Sequence, residues 1–565
     1  NIFTRQNLWY VVGLSLVSAN TSALSVETNN LEPSLAIGQT TALIAEAGLP
    51  NGPLRDGDSG NTDFPYARFK ALATVGEKDL ANGLALTGYP DGHAAWLHDE
   101  KTIRLAYQSE SYATMGKAPE PETYPWVMRN GVTFTGSHIH WIDFDREGFA
   151  SFMSHQEPAS LMVKGSGKLF DRIYNIFGKE VTVPTFDPKN LAGKWGNQTR
   201  PDGTLIPFKP SYQLSEADYF FQSFCGAWYE PAYQYGEGIG FSDDMWLAAE
   251  EWDIGRMFPA GSADSAATMG LASVVVDIAR QTAYVAPALG QTGYEKMMPL
   301  NPGHKDYVVI VTSGYNHGQE PSPLKVYVGM KHRHADGSVI DYKKVNQRDR
   351  FLARNGLLYG KLYGMAVTLE TASKLVSKPD AKHRMLDDYV TDANAPKDFQ
   401  ATFFPTSFQW QGWDKPVAVQ DTEMMLWQKS DEQPKGHVYF NGDSKVEHVA
   451  GDPDGAPRYF ANLTNKGALL AIDFGEFAFD GVDLPADIPA NIRRSVPAVD
   501  GALTLKIGTQ GKTLNGDASI HMEKSVAKMV APDGLYWIKS SEGQYLIVDE
   551  DSGNDFGERK YVLTI

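Results

Sequence analysis

The residues best suited to chemistry lie around the single cysteine of the chain. Cys225 stands in the segment Phe224-Cys-Gly-Ala-Trp, and further along the apolar stretch Met245–Ala249 ends in two adjacent carboxylates, Glu250 and Glu251. A thiolate suits iron, whereas carboxylate oxygens suit calcium. Because successive side chains of a strand point to opposite faces, we expect only one of these glutamates to face a common site. An inert buried thiol and a solvated strand end are the alternative interpretations.

Other acidic residues occupy comparable positions, beside short β-rich runs. They are Glu110, Glu295, Glu423 and Asp533. Two acidic runs, Asp549–Asp555 and Asp56–Asp63, are rich in oxygen ligands but lack the spacing of an EF-hand loop. Taken alone, each short acidic loop is more typical of a turn than of a metal site.

Two histidine pairs have the i, i+2 spacing that places both imidazoles on one face of a strand. They are His138–His140 and His332–His334. This spacing can bind zinc or iron, although a solvated face is the favoured interpretation. The sequence contains no glycine-rich phosphate loop, no G-x-S-x-G nucleophile elbow and no cysteine pair for a zinc ribbon.

Short strands must position these residues. From about residue 80 onward, β-rich runs such as Tyr307–Thr312 and Ala468–Asp473 alternate with Gly, Asp or Asn turns. Such spacing predicts antiparallel meanders, as in a sandwich or a propeller. We expect one all-β domain over residues 25–565, a single β-propeller, with insertions near 115–126, 369–393 and 483–500. The insertion at 369–393 has helical spacing.

Composition limits the function classes. The net charge of −18 and a pI near 5.2 disfavour nucleic acid as a partner. An acidic surface is compatible with the binding of hard cations, and the alternative is that it simply keeps the protein soluble. Residues 1–24 have the pattern of an export signal, with a buried N-terminal helix as the alternative. We therefore expect an exported protein, periplasmic or extracellular, without a membrane span. One cysteine allows no internal disulfide.

Seven segments, taken in order, resemble the PhoX-type alkaline phosphatases, a family of calcium-dependent β-propellers. The segments begin at Tyr89-Pro-Asp-Gly, Tyr107-Gln-Ser-Glu, Phe224-Cys-Gly, Trp246-Leu-Ala-Ala-Glu-Glu, Val275-Val-Asp, Lys325-Val-Tyr-Val-Gly and Val530. The resemblance covers roughly residues 85 to 560. It implies about six blades, with calcium and iron clustered at the axial mouth, where they activate a phosphate ester.

Carried over residue by residue, the resemblance implies a set of metal ligands. They are Glu110, Cys225, Glu251 (or Glu250), Glu295, Glu423 and Asp533.

The sequence also departs from this family. Asp421 stands where the family has the arginine that grips phosphate, and Gln108-Ser109 replaces an Asn-His pair. An aspartate at that position would repel an anionic substrate. Two readings of the function therefore stay open. One is a metal-dependent hydrolase, of phosphate esters or of another substrate such as a lactone. The other is a calcium-bound propeller that binds a partner or has a structural role.

Overall fold

The computed structural model of the chain describes most residues between 89 and 551 and several shorter pieces. The described residues are 72–73, 79, 81–84, 86–87, 89–110, 125–135, 137–154, 159–182, 198–199, 205–206, 213–214, 221, 224–251, 272–290, 293–314, 321–334, 336–407, 417–418, 432–496, 504–506, 513–516, 531–551 and 560–564. The predicted export signal lies outside these residues. Among the described residues, no helix is long and apolar enough to cross a membrane.

The described part of the chain is built mainly from strands. In chain order they are β1 (Tyr89–Asp99), β2 (Thr102–Glu110), β3 (Pro125–Val127), β4 (Thr133–Thr135), β5 (His138–Asp145), β6 (Val163–Lys168), β7 (Arg172–Tyr174), β8 (Gln198–Thr199), β9 (Leu205–Ile206), β10 (Gln213–Leu214), β11 (Phe224–Glu230), β12 (Met245–Glu250), β13 (Ser273–Asp277), β14 (Thr282–Val285), β15 (Tyr294–Leu300), β16 (Tyr307–Gly314), β17 (Lys325–Met330), β18 (Gly360–Thr368), β19 (Asp398–Pro405), β20 (Val417–Ala418), β21 (His437–Tyr439), β22 (Val449–Gly451), β23 (Arg458–Leu463), β24 (Ala468–Asp473), β25 (Ile488–Ser495), β26 (Thr504–Lys506), β27 (Thr513–Gly516), β28 (Pro532–Ser540), β29 (Gly543–Glu550) and β30 (Lys560–Thr564).

The helices are short and lie between strands. They are α1 (Arg146–Ser154), α2 (Gln347–Arg354), α3 (Leu369–Leu375) and α4 (Met385–Thr391), with 3-10 turns at Ala159–Met162, Pro287–Leu289 and Thr464–Lys466. Helices α3 and α4 lie in the segment for which the sequence predicts a helical insertion.

Five antiparallel meanders of strands, each called a sheet below, follow one another along the described part of the chain. Their strand orders are β1-β2-β5-β6, β11-β12-β13-β14, β15-β16-β17-β18, β22-β23-β24-β25 and β28-β29-β30-β27-β26. The first strands of successive sheets touch in the same order, β1 with β11, β11 with β15, β15 with β22, and β22 with β28. This arrangement of sheets around an axis is that of propeller blades. The all-β propeller prediction is confirmed, while the predicted number of six blades stays a prediction.

The strands are apolar runs because neighbouring sheets bury both of their faces. Strand β16, for example, contributes Val309 and Val311 to a core shared with the fourth sheet, and Val308 and Ile310 to a core shared with the second. Strand β19 pairs with both β18 and β25 and so joins the third and fourth sheets into one continuous hydrogen-bonded sheet. The blades therefore pack face to face through side chains and, at one junction, are joined at their edges by backbone hydrogen bonds.

Each histidine prediction was wrong in one respect. His138 and His140 do share a face of β5, but the face is buried rather than solvated, and the Nε2 atoms lie 2.7 and 3.0 Å from Oγ1 of Thr87. His332 lies in a turn with φ of 63°, not on a strand, and its Nδ1 is 2.6 Å from the hydroxyl of Tyr342.

Candidate metal centre

The first strand of each of the five sheets begins at the same end of the propeller axis. Asp91 is the third residue of β1, Cys225 the second of β11, Glu295 the second of β15 and Asp533 the second of β28. Glu447 comes two residues before β22. Each of the five sheets therefore delivers an acidic residue or the thiol to the same end of the axis.

The second strands run back toward this end because they are antiparallel to the first. Glu110 is the last residue of β2, where Tyr89 pairs with it, and Glu251 directly follows β12. We call the resulting cluster the acidic mouth. Its members are Asp91, Glu110, Cys225, Glu251, Glu295, Glu447, Asp533 and Asp551.

The register between the first and second strands is interrupted where these residues lie. It shifts between Pro90 and His93, between Phe224 and Ala227, between Tyr294 and Lys296, and between Pro532 and Leu535. A bulge bends a strand and redirects a side chain that would otherwise follow the regular alternation. The shifts in four sheets thus coincide with Asp91, Cys225, Glu295 and Asp533.

Three groups in the acidic mouth have their potential ligand atoms within 4.8 Å of one another. The groups are Asp91 with Glu110 and Cys225, Cys225 with Glu251 and Glu295, and Glu447 with Asp533 and Asp551. Cys225 belongs to two of them. The donor set of one thiol and several carboxylates suits iron beside calcium.

Cys225 is buried beside several negative charges. Its Sγ donates to Oδ2 of Asp91 at 3.5 Å. Burial, followed by the charges of Asp91, Glu295, Glu251 and Glu110, raises the pKa of Cys225 well above its ordinary value. The thiol is therefore expected to stay protonated until a cation displaces its proton.

Glu295 is the most deeply buried carboxylate of the mouth, with no exposed surface. Burial and the charge of Glu251 raise its pKa well above the ordinary value, against the opposing charge of Lys445. Its Oε2 accepts no hydrogen bond from the part of the chain that the structure describes. A buried acceptor of this kind is costly unless a cation or a proton satisfies it.

Lys445 lies inside the mouth. Its Nζ is 2.9 Å from Oε1 of Glu251 and 2.9 Å from Oε1 of Glu295, and it also contacts Oε1 of Glu447. Burial and the charge of Asp533 raise the pKa of Glu447 to about 7, although the lysine opposes this. One ammonium group thus joins carboxylates from three sheets.

His448 connects the fourth sheet with the fifth. Its Nδ1 is 2.8 Å from Oδ1 of Asp533. Although burial opposes the change, the hydrogen bond and charge of His448 lower the pKa of Asp533. The side-chain oxygen of Asn462 accepts from the backbone N–H groups of Glu447 and His448, both at 3.0 Å, and so fixes this corner.

Gln108 holds the bulge that carries Cys225. Its Nε2 donates to the carbonyl oxygens of Cys225 and Gly226, and its Oε1 accepts from Nε1 of Trp246 at 3.0 Å. The residue that departs from the family pattern thus has a positioning contact at the site.

The structure brings most of the predicted site residues together. Glu110, Cys225, Glu251, Glu295 and Asp533 all belong to the acidic mouth. Glu250 instead accepts a hydrogen bond from the backbone N–H of Ala272 at 2.8 Å and belongs to none of the three groups. Glu423, Asp421 and the run Asp56–Asp63 lie outside the described residues.

Sequence reasoning did not single out four residues of the site, Asp91, Lys445, Glu447 and His448. A signal for the first is present, since Asp91, Cys225 and Asp533 are each followed directly by glycine at the start of a β-rich run. For the others, Lys445 and Glu447 alternate with apolar residues that lead into β22.

The comparisons with known proteins add no family. No protein-family model matches the chain, and no curated protein is significantly similar to it. A crystal structure of an ancestral GH74 enzyme matches with 8% identity over 84% of this chain and 72% of that chain. Its TM-score of 0.11 is too low to support an argument about fold or function. The resemblance to PhoX-type phosphatases therefore stays a prediction.

Proposed function

We propose that this protein is a metal-dependent hydrolase of phosphate esters that works at the acidic mouth. The observation that carries the proposal is the convergence of one thiol and seven acidic residues from five sheets at one end of the axis. The carboxylates around the buried Glu295 repel one another unless cations or protons offset their charge. The ester substrate itself comes from the PhoX resemblance.

The residues of the mouth fit calcium and iron. Carboxylates on the Asp91 and Glu110 side suit calcium, and Cys225 suits iron. When bound, such ions polarise a phosphoryl oxygen and lower the pKa of a water molecule. The bound ions would also reverse the local charge, which an anionic ester could not otherwise approach.

The chain itself supplies the groups that position the reaction. Gln108 fixes the Cys225 bulge, and Lys445 offsets the charge of Glu251 and Glu295. His448, held in orientation by Asp533, is the residue of this mouth suited to donate or accept a proton.

The test is an assay of the metal-loaded protein with p-nitrophenyl phosphate between pH 7 and 10. We expect turnover that EDTA abolishes and that added calcium with iron restores. Glu251→Gln should lower kcat/KM by about ten- to a hundredfold, whereas Glu250→Gln, outside the three groups, should leave it unchanged. If the loaded protein leaves the ester intact, the proposal is wrong.

A second candidate is a calcium-bound propeller without turnover, in which the ion is structural. The depth of Cys225, Glu251 and Glu295, all at most 6% exposed, favours it. This candidate predicts that EDTA lowers the thermal midpoint while the ester assay stays at background with and without metal.

A further inference from the structure

We infer that Lys445 is a cation built into the chain, and that its ammonium group occupies a position in the acidic mouth that a divalent ion would otherwise take. The inference rests on the proposal that the mouth binds cations. It divides the mouth into a metal side around Asp91, Glu110 and Cys225, and a lysine side around Glu447. Glu251 and Glu295 belong to both sides.

The geometry around Lys445 is that of a cation in a cage of carboxylates. Its Nζ contacts one oxygen each of Glu251, Glu295 and Glu447, and these glutamates come from the second, third and fourth sheets. The contacts are ion pairs, so one positive charge faces three carboxylates from separate sheets. Oxygens converging from separate elements are also how a calcium site is built.

Position distinguishes this lysine from a surface ion pair. The side chain of Lys445 is 12% exposed, and those of its three partners are between 0 and 5% exposed. Carboxylates buried this deeply must be paired, and removing the ammonium group that contacts all three of them leaves uncompensated charge. Unlike a bound ion, the ammonium group cannot dissociate or be removed by a chelator. The lysine side should therefore need no metal.

The first test replaces Lys445 with methionine, which keeps the length of the side chain but removes its charge. In EDTA, Lys445→Met should unfold at a lower temperature than the natural protein. Calcium chloride at millimolar concentration should then raise its midpoint by roughly 3 °C more than that of the natural protein, with about one additional calcium ion bound per chain. Lys539→Met is the control, because it removes an exposed lysine paired with Asp454. An unchanged calcium stoichiometry in folded Lys445→Met would overturn the inference.

A second pair of variants keeps the test decisive if Lys445→Met does not fold. Glu447 lies on the lysine side and Glu110 on the metal side, so Glu447→Gln should retain the metal content of the natural protein while Glu110→Gln loses about one ion. Equal loss of metal from both variants would contradict the inference.

These outcomes are distinguishable from failure of the proposed function. Absence of phosphatase activity would contradict that function, yet Lys445→Met would still gain a calcium ion. Conversely, an active phosphatase in which Glu447→Gln and Glu110→Gln lose metal equally would retain the function and exclude the built-in cation.

Discussion

At the scale of single residues, the thiol and the carboxylates of the mouth depend on one another. The raised pKa of Cys225 arises from burial and from the same acidic residues that would hold a cation beside it. A cation therefore does two things at once, because it stabilises the thiolate and offsets the carboxylates. This coupling explains how a lone cysteine among acids can be a ligand rather than a reactive thiol.

The first prediction follows for Cys225→Ser. A hydroxyl is a poor ligand for iron compared with a thiolate, while the carboxylates for calcium remain. We expect the iron content to fall by about tenfold or more, with calcium retained, when both are measured by elemental analysis of the purified protein. Natural protein prepared in parallel is the reference, and a serine variant with full iron content would exclude the cysteine as a ligand.

At the scale of elements, glycine allows the bulged strands to approach closely. A Cβ atom on Gly92 would lie 2.2 Å from the backbone nitrogen of Ala227, and one on Gly226 would lie 2.6 Å from Nε2 of His448. Neither position has space for a side chain. The residues directly before these glycines, Asp91 and Cys225, are brought together because their strands can touch.

The second prediction concerns Gly226→Ala. The added methyl group must push His448 and β15 away from β11, so we expect destabilisation of about 1–3 kcal/mol together with reduced metal content. Denaturant unfolding and elemental analysis measure the two effects. Gly451→Ala is the matched control on β22, since its Cβ would meet Met298 at an ordinary 3.4 Å. Equal effects of both substitutions would contradict the close-approach argument.

The strands could be predicted from the sequence because their apolar runs are local. The runs at Tyr307 and Ala468 correspond to β16 and β24. The apolar stretch Met245–Ala249 forms most of β12, so Glu251 lies at the end of a strand as expected. Lys445 and His448 could not be assigned, because their partners come from other sheets and depend on how the sheets pack. The solvated face predicted for His138 and His140 was wrong for the same reason, since burial by neighbouring segments is not visible in local spacing.

At the scale of the whole molecule, the two ends of the axis differ. The acidic mouth lies where the first strands begin, whereas Glu230 ends β11 at the opposite side. Glu230 is 2% exposed, and its Oε2 accepts a hydrogen bond from Nε1 of Trp228 at 2.7 Å. A buried carboxyl group far from the mouth offers a probe of global stability that is separate from metal binding.

The third prediction is a pH dependence of stability that arises from Glu230. Burial raises its pKa from 4.5 to about 8 in the folded protein, despite the opposing hydrogen bonds from Trp228 and Tyr235. Between these values the folded state binds a proton that the unfolded state has lost, so this contribution to stability decreases as the pH rises toward 8. The side chain introduced by Glu230→Gln is neutral at every pH, so this variant should lack the decrease. Its thermal midpoint minus that of the natural protein should therefore be larger at pH 8.5 than at pH 5. The exposed Glu542→Gln is the control, and a variant whose midpoint follows the natural protein at both pH values would show that Glu230 is not protonated in the fold.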